Sequence, residues 1–170
     1  VVYRANNIDT ADQVGKWEWT MKVLIAFDDS PYSQKVINQI LRSQWRPHVT
    51  FKVLMILEPI CISTEFGDQE TADAIEKIYK KRWHYASKVC ESVVQRLKAS
   101  ISECSAEYEV KEGTAGKEIV NAAVSWHADK VILGAHGFGI CPRNILGSVS
   151  TYVAAHAPCS IEIIRSQVSA

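Results

Sequence analysis

No stretch of this 170-residue chain stays apolar for the roughly 18 to 20 residues that a membrane helix requires, so a membrane partner is not expected. Neither sign of charge predominates. Nineteen basic side chains stand against nineteen acidic ones, and the concentrated basic surface that nucleic acid or an anionic membrane demands is missing. Cysteine is sparse and odd in number. Cys61, Cys90, Cys104, Cys141 and Cys159 form no C-x-x-C pair, which argues against a disulfide scaffold and for reduced thiols, Cys141 beside Pro142 included. The histidines, His48, His84, His127, His136 and His156, show no metal-ligand spacing to one another or to a cysteine, so no metal site is expected. The opening VVYRANNIDTADQVGKWEWT lacks the apolar core of a signal peptide, and a cytoplasmic protein is expected. Glycine is scarce too, at eight residues, yet four of them, Gly134, Gly137, Gly139 and Gly147, crowd into GAHGFGICPRNILGSVS at 134–150.

What is present alternates. KVLIAF (22–27) is a short apolar run, followed by DDSPYS and then QKVINQILRSQW, where Val36, Ile37, Ile40 and Leu41 recur at helical spacing. VTFKVLMIL (49–57) is apolar and β-branched, and residues 72–99 form a long amphipathic pattern. AEYEVKEG alternates as a strand does, GKEIVNAAVSWHA predicts a helix and KVILGA a buried strand. SVSTYVAAHA predicts a helix stopped by Pro158, and CSIEIIR (159–165) a last strand. Unbroken Val, Ile and Leu strands joined through helices must run parallel and be covered on both faces. The expectation is an α/β fold: a doubly wound, Rossmann-like sheet of five parallel strands. Ligands of such sheets bind at the carboxyl ends of strands where the winding reverses, and AFDDS and LGAHG end the two candidate strands.

The glycine-rich stretch lies there. Gly134 and Gly137 let backbone approach a ligand closely, while Gly147 and Ser148 open a helix whose first N–H groups favour an anion, phosphate being common. Arg143 adds a charge able to reach phosphate oxygens. Turn glycines and a serine cap would account for the same letters without a ligand. Other nucleotide and phosphate classes fail on their motifs. There is no G-x-x-x-x-G-K-[ST] and no G-x-G-x-x-G, and Ser148 sits in no G-x-S-x-G elbow. Asp28 and Asp29 resemble the acidic pair of a response-regulator receiver, but no later strand ends in an aspartate to take the phosphate, and Asp29 reads as a turn residue. His136, in the same loop, has no identifiable acid partner.

G-x-x-G, nine residues, then G-S, carried by Gly134, Gly137, Gly147 and Ser148, resembles the nucleotide-binding signature of the universal stress protein family. VLIAFDDSPYS resembles that family's first strand and its aspartate, VLMILEP its second strand, and VKEGTAGKEIV its turn into the third helix, over residues 21–165. Gly139, two residues after Gly137 where the family often has its glycine at three, departs from the pattern. The resemblance implies that Asp28 and Ile56, with Ala26 flanking the base, hold the adenosine end of ATP. It also implies that Gly134, Gly137, Gly147, Ser148, Val149 and Ser150 follow the phosphates, with Arg143 standing where many members have a basic residue and Mg2+ able to bridge the phosphates.

The function expected is therefore an ATP-binding stress-response or signalling module, the alternatives being a slow ATPase or an interaction domain without nucleotide. The last strand, with Ile161, Ile163 and Ile164, is expected at a sheet edge, and the family pairs it in a homodimer. Residues 21–170 are expected to form the nucleotide-binding domain and 1–20, with Trp17 and Trp19, a partly disordered extension or linker.

Overall fold

The computed structural model describes residues 20–60, 69–137 and 146–165. Among these described residues nine elements alternate: β1 (Lys22–Ala26), α1 (Pro31–Arg42), β2 (Thr50–Leu57), α2 (Gln69–Ser100), β3 (Ser105–Glu112), α3 (Ala115–Ser125), β4 (Lys130–Gly134), α4 (Ser148–His156) and β5 (Ser160–Ile164). The strands form one sheet in the order β3-β2-β1-β4-β5, and every neighbouring pair is parallel. The doubly wound five-stranded sheet expected from the apolar runs is the observed fold.

The helices divide between the two faces as right-handed crossovers require. Val36, Ile37 and Ile40 of α1 and Ala86, Cys90, Val93, Val94 and Leu97 of α2 bury one face together with Val23, Ile25, Phe51, Val53 and Ile132. Ile119, Ala122 and Ala123 of α3 and Val153 of α4 cover the other, against Leu24, Leu54, Val131 and Leu133. Alternate residues of β1, Val23, Leu24 and Ile25, thus serve opposite layers, and all three are fully buried. The winding reverses between β1 and β4, which lie side by side. β5 is an edge strand, as its place in the sequence predicts.

Some boundaries moved, each for a local reason. α1 begins at Pro31, three residues ahead of its apolar pattern. Ser30 caps it by accepting from the Ser33 N–H at 3.1 Å, and proline tolerates the first helical position because its missing N–H would have no partner there. The same helix stops at Arg42 instead of running to Trp45. Trp45 folds back, donating Nε1–H to the Ile40 carbonyl at 2.8 Å and packing edge-on against Phe51. α2 is 32 residues long, somewhat more than its predicted span.

Candidate functional site

The cleft is built from the carboxyl ends of three neighbouring strands. β1 delivers Ala26, Phe27, Asp28 and Asp29, β2 delivers Ile56, Leu57 and Glu58, and β4 delivers Gly134, His136 and Gly137. The first turn of α4 closes one side with Gly147, Ser148, Val149 and Ser150, and α2 closes another with Arg82, Tyr85 and Ala86. The enclosed volume is about 800 Å3, within the roughly 300–1,000 Å3 of small-molecule sites.

Asp28 sits at the centre because Ser30 and Ser33 hold it. Its Oδ1 accepts from the Ser30 N–H at 3.1 Å and from the Ser33 hydroxyl, while its own N–H donates to Ser33 Oγ at 3.3 Å. The other oxygen faces the glycine loop: a Cβ on Gly137 would stand 2.5 Å from Asp28 Oδ2. Gly137 is glycine for want of room, since the aspartate fills the space a side chain would need. Gly147 has a related reason, a Cβ there meeting the Ala135 carbonyl at 3.2 Å.

Ser150 ties the first turn of α4 to the end of β4. It is buried, and its hydroxyl donates to the carbonyls of Gly134 at 2.9 Å and Ala135 at 3.1 Å. The Gly147 N–H donates to the Ala135 carbonyl at 2.9 Å, tying the return of the loop to the end of β4. Gly147 is the N-cap of α4, and among the described residues no side chain caps its N-terminus. A helix N-terminus left in this form offers backbone N–H donors and the positive end of a dipole to an anion. The serine cap that would have explained the sequence without a ligand is not what closes α4.

Asp29 adopts a left-handed conformation, φ 58°, which aspartate tolerates better than most residues. Gln34 Nε2 donates to its Oδ1 at 2.9 Å and the Tyr85 hydroxyl donates to its Oδ2. That bond and the aspartate charge push the Tyr85 phenol above its ordinary range. Asp29 is therefore a clasp between the β1 loop and α2, more specific than the turn role expected for it.

Nine of the residues singled out in the sequence come together. Ala26, Asp28, Ile56, Gly134, Gly137, Gly147, Ser148, Val149 and Ser150 all line this one cleft. Ala26, Ile56 and Val149 pack together on the face covered by α3 and α4, giving the cleft an apolar wall. Arg143, Gly139 and Cys141 lie outside the described residues, as do Cys61, Trp17 and Trp19. Cys90, Cys104 and Cys159 are free thiols. Among the described residues no cluster of His, Cys, Asp or Glu is arranged to hold a metal ion, and no helix is long and apolar enough to cross a membrane.

Sequence reasoning missed Arg82, Tyr85 and Glu58. Arg82 donates from Nη2 to the Glu58 carbonyl at 2.9 Å. Periodicity marks α2 as amphipathic but does not say which of its turns overhangs the strand ends. His136, read as a polar loop residue, stands edge-on to Tyr32 with its Nδ1 buried and without a partner among the described residues.

A parallel sheet wound in both directions, with a cleft over its switch point and a glycine-backed helix N-terminus in that cleft, defines a doubly wound α/β protein with a strand-end cleft. The family model for the universal stress protein family matches residues 20–165, and the chain belongs to that family. A universal stress protein of Synechocystis is 27% identical over 151 residues, covering 85% of this chain and 97% of its own. Among solved structures, universal stress protein UspA from Lactobacillus plantarum superposes with a TM-score of 0.67 at 20% identity, covering 85% of this chain and 97% of that one. A universal stress protein family protein from Arabidopsis thaliana, solved with AMP bound, gives 0.61 at 17% identity, covering 86% and 92%.

Proposed function

We propose that the cleft binds ATP, with adenosine held by Ala26, Asp28 and Ile56 and the phosphates laid along Gly134, Gly137 and the Gly147–Ser150 turn, Arg143 and Mg2+ assisting at the phosphates. The observation that carries this reading is the pairing of Asp28 with Gly137 beside an N-terminus of α4 that has no side-chain cap. One ligand with a sugar hydroxyl at one end and an anion at the other would satisfy both. The AMP held by the Arabidopsis relative supports an adenine nucleotide as the class. Ser150 serves the phosphates through its backbone, since its hydroxyl is committed to Gly134 and Ala135.

In this reading the chain is a nucleotide-dependent stress-response or signalling module. Residues 21–170 form the binding unit and 1–20 an extension. Hydrolysis is slow or absent, because Asp28 is assigned to the sugar end of the ligand and Asp29 is held by Gln34 and Tyr85, which leaves neither at the phosphates to take a proton from water. The functional unit is a homodimer joined through β5, whose outer edge has no neighbouring strand among the described residues. Identification of the nucleotide released from purified protein, with calorimetric titration of ATP, tests the ligand. Absence of both bound nucleotide and titratable binding would refute it. Sustained phosphate release near one per second, within the ordinary enzyme range, would instead establish an ATPase. Light scattering of wild type and Ile163→Lys tests the dimer, which the lysine should dissolve.

A further inference from the structure

The long helix α2 is packed on the sheet along its carboxyl half alone. From residue 86 onward it buries Ala86, Cys90, Val93, Val94 and Leu97, whereas none of residues 72–85, about 21 Å of helix, is buried. Large apolar side chains in that amino half remain exposed, Ile78 at 47% and Trp83 at 38%. Two hydrogen bonds fasten it to the strand ends. Arg82 Nη2 donates to the Glu58 carbonyl at 2.9 Å, one residue past β2, and the Tyr85 hydroxyl donates to Asp29 Oδ2 in the loop after β1. Segments with few buried apolar contacts open locally at far lower cost than the core, so polar tethers matter more for residues 72–85 than packing does.

The anchors of those tethers decide what the helix responds to. Asp29 directly follows Asp28, and Glu58 stands two residues after Ile56, so both anchors sit on the segments assigned to the nucleoside. Asp29 is in the left-handed region, φ 58°, and its bonds to Gln34 and Tyr85 hold it there. A ligand gripping Asp28 and Ile56 removes freedom from the same two segments. We propose that the amino half of α2, residues 72–85, is a conformational arm whose order depends on occupancy of the nucleoside end of the cleft. Arg82 and Tyr85 line the cleft, so the closed arm offers a ligand contact surface that an open arm lacks, which is the differential affinity such a shift requires. Emptying the cleft lets the arm open locally while Cys90, Val93 and Leu97 keep the carboxyl half in the core. Occupancy is thereby expressed at an exposed surface bearing Ile78 and Trp83.

Coupling to the ligand rests on the nucleotide reading, and the test separates the two. Amide hydrogen exchange compares residues 72–85 with 86–97 in wild type and Tyr85→Phe, free and with ATP or adenosine, whose binding is followed by calorimetry. In the free protein Tyr85→Phe should speed exchange of 72–85 by about three- to tenfold, the value of one partly exposed bond to a carboxylate, and leave 86–97 unchanged. Asp29→Asn, which weakens the same bond from its other end, should give the same pattern and decides the matter if the phenylalanine variant does not fold. Saturating wild type with either ATP or adenosine should slow 72–85 by about fivefold or more. Exchange at 72–85 that stays unchanged while ATP binds would overturn the arm and leave the nucleotide reading intact. Slowing by ATP but not by bound adenosine would overturn it too, by placing the coupling at the phosphates. An effect of Tyr85→Phe spread evenly over 72–97 would show overall destabilisation and no separate arm. Calorimetry that finds neither ATP nor adenosine binding would sink the nucleotide reading and the coupling with it.

Discussion

Alanine at position 137 would bring a methyl carbon to 2.5 Å from Asp28 Oδ2, about 0.9 Å inside the 3.4 Å at which ordinary contact begins. Gly137 is not in the left-handed region, so the substitution acts through space and not through backbone strain. The aspartate can swing aside, but only by stretching the bonds its Oδ1 accepts from the Ser30 N–H and the Ser33 hydroxyl. Hydrogen bonds to charged groups contribute about 1.5–3 kcal/mol each, and partial exposure of Asp28 puts the expected cost of Gly137→Ala at about 1–2 kcal/mol. For a domain of this size that lowers Tm by about 2–4 °C per kcal/mol. Urea unfolding of Gly137→Ala, Asp28→Ala and the double variant isolates the contact. With the carboxylate gone the methyl meets open space, so its cost should drop to a few tenths of a kcal/mol, within the scatter of independent sites. The same cost in both backgrounds would refute the steric account. On the nucleotide reading, displacing Asp28 should also weaken ATP and adenosine alike, by about tenfold, the value of one hydrogen bond to a charged group.

Ser150→Ala should destabilise the fold by about 1–2 kcal/mol in urea unfolding, because the buried hydroxyl donates to the Gly134 and Ala135 carbonyls, of which Ala135 keeps the Gly147 N–H when the hydroxyl is removed. Burial, reinforced by the Asp29 charge, pushes the Cys90 thiol up to about 12 from an ordinary 9.0. A group whose pKa is raised on folding contributes its full stability below the unfolded value and loses it as pH climbs towards the folded one. Between pH 9 and 12 Cys90→Ala should therefore lose stability less steeply than wild type, and equal slopes in pH-dependent urea unfolding would contradict the burial argument. Tyr85 should ionise nearer its ordinary pH in Asp29→Asn, since the aspartate hydrogen bond is the main cause of its upward shift; an NMR titration of the ring that finds no change would break the clasp assignment.

The local sequence carries the elements and their order. Apolar runs such as VLI in β1 and VIL in β4 leave no polar face for water, so each must be covered twice, and parallel strands with helices between them follow. The glycine spacing located the cleft for a similar reason, because a backbone that must pass close to something excludes side chains and so writes its geometry into the letters. The cap at Ser30 and Pro31 goes unread in the sequence, where DDSPYS reads as a loop, and the apolar pattern alone puts the start of α1 too late.

Long-range pairing was not legible. That the carboxylate of Asp28 fills the space beside Gly137, 109 positions away in the chain, depends on β1 and β4 lying next to each other in the sheet. That Ser150 spends its hydroxyl on Gly134 and Ala135 depends on how α4 folds back over β4. Arg82 and Tyr85 illustrate the limit most clearly. On a 32-residue helix every charged side chain looks like part of a solvated face, and only the crossing of α2 over the strand ends brings one turn of it to Glu58 and Asp29. Sequence determines local conformation through interactions that decay within a few residues. Which distant side chains share a cleft is decided by packing, where the position of a whole helix follows from buried residues such as Cys90, Val93 and Leu97 that lie outside the cleft.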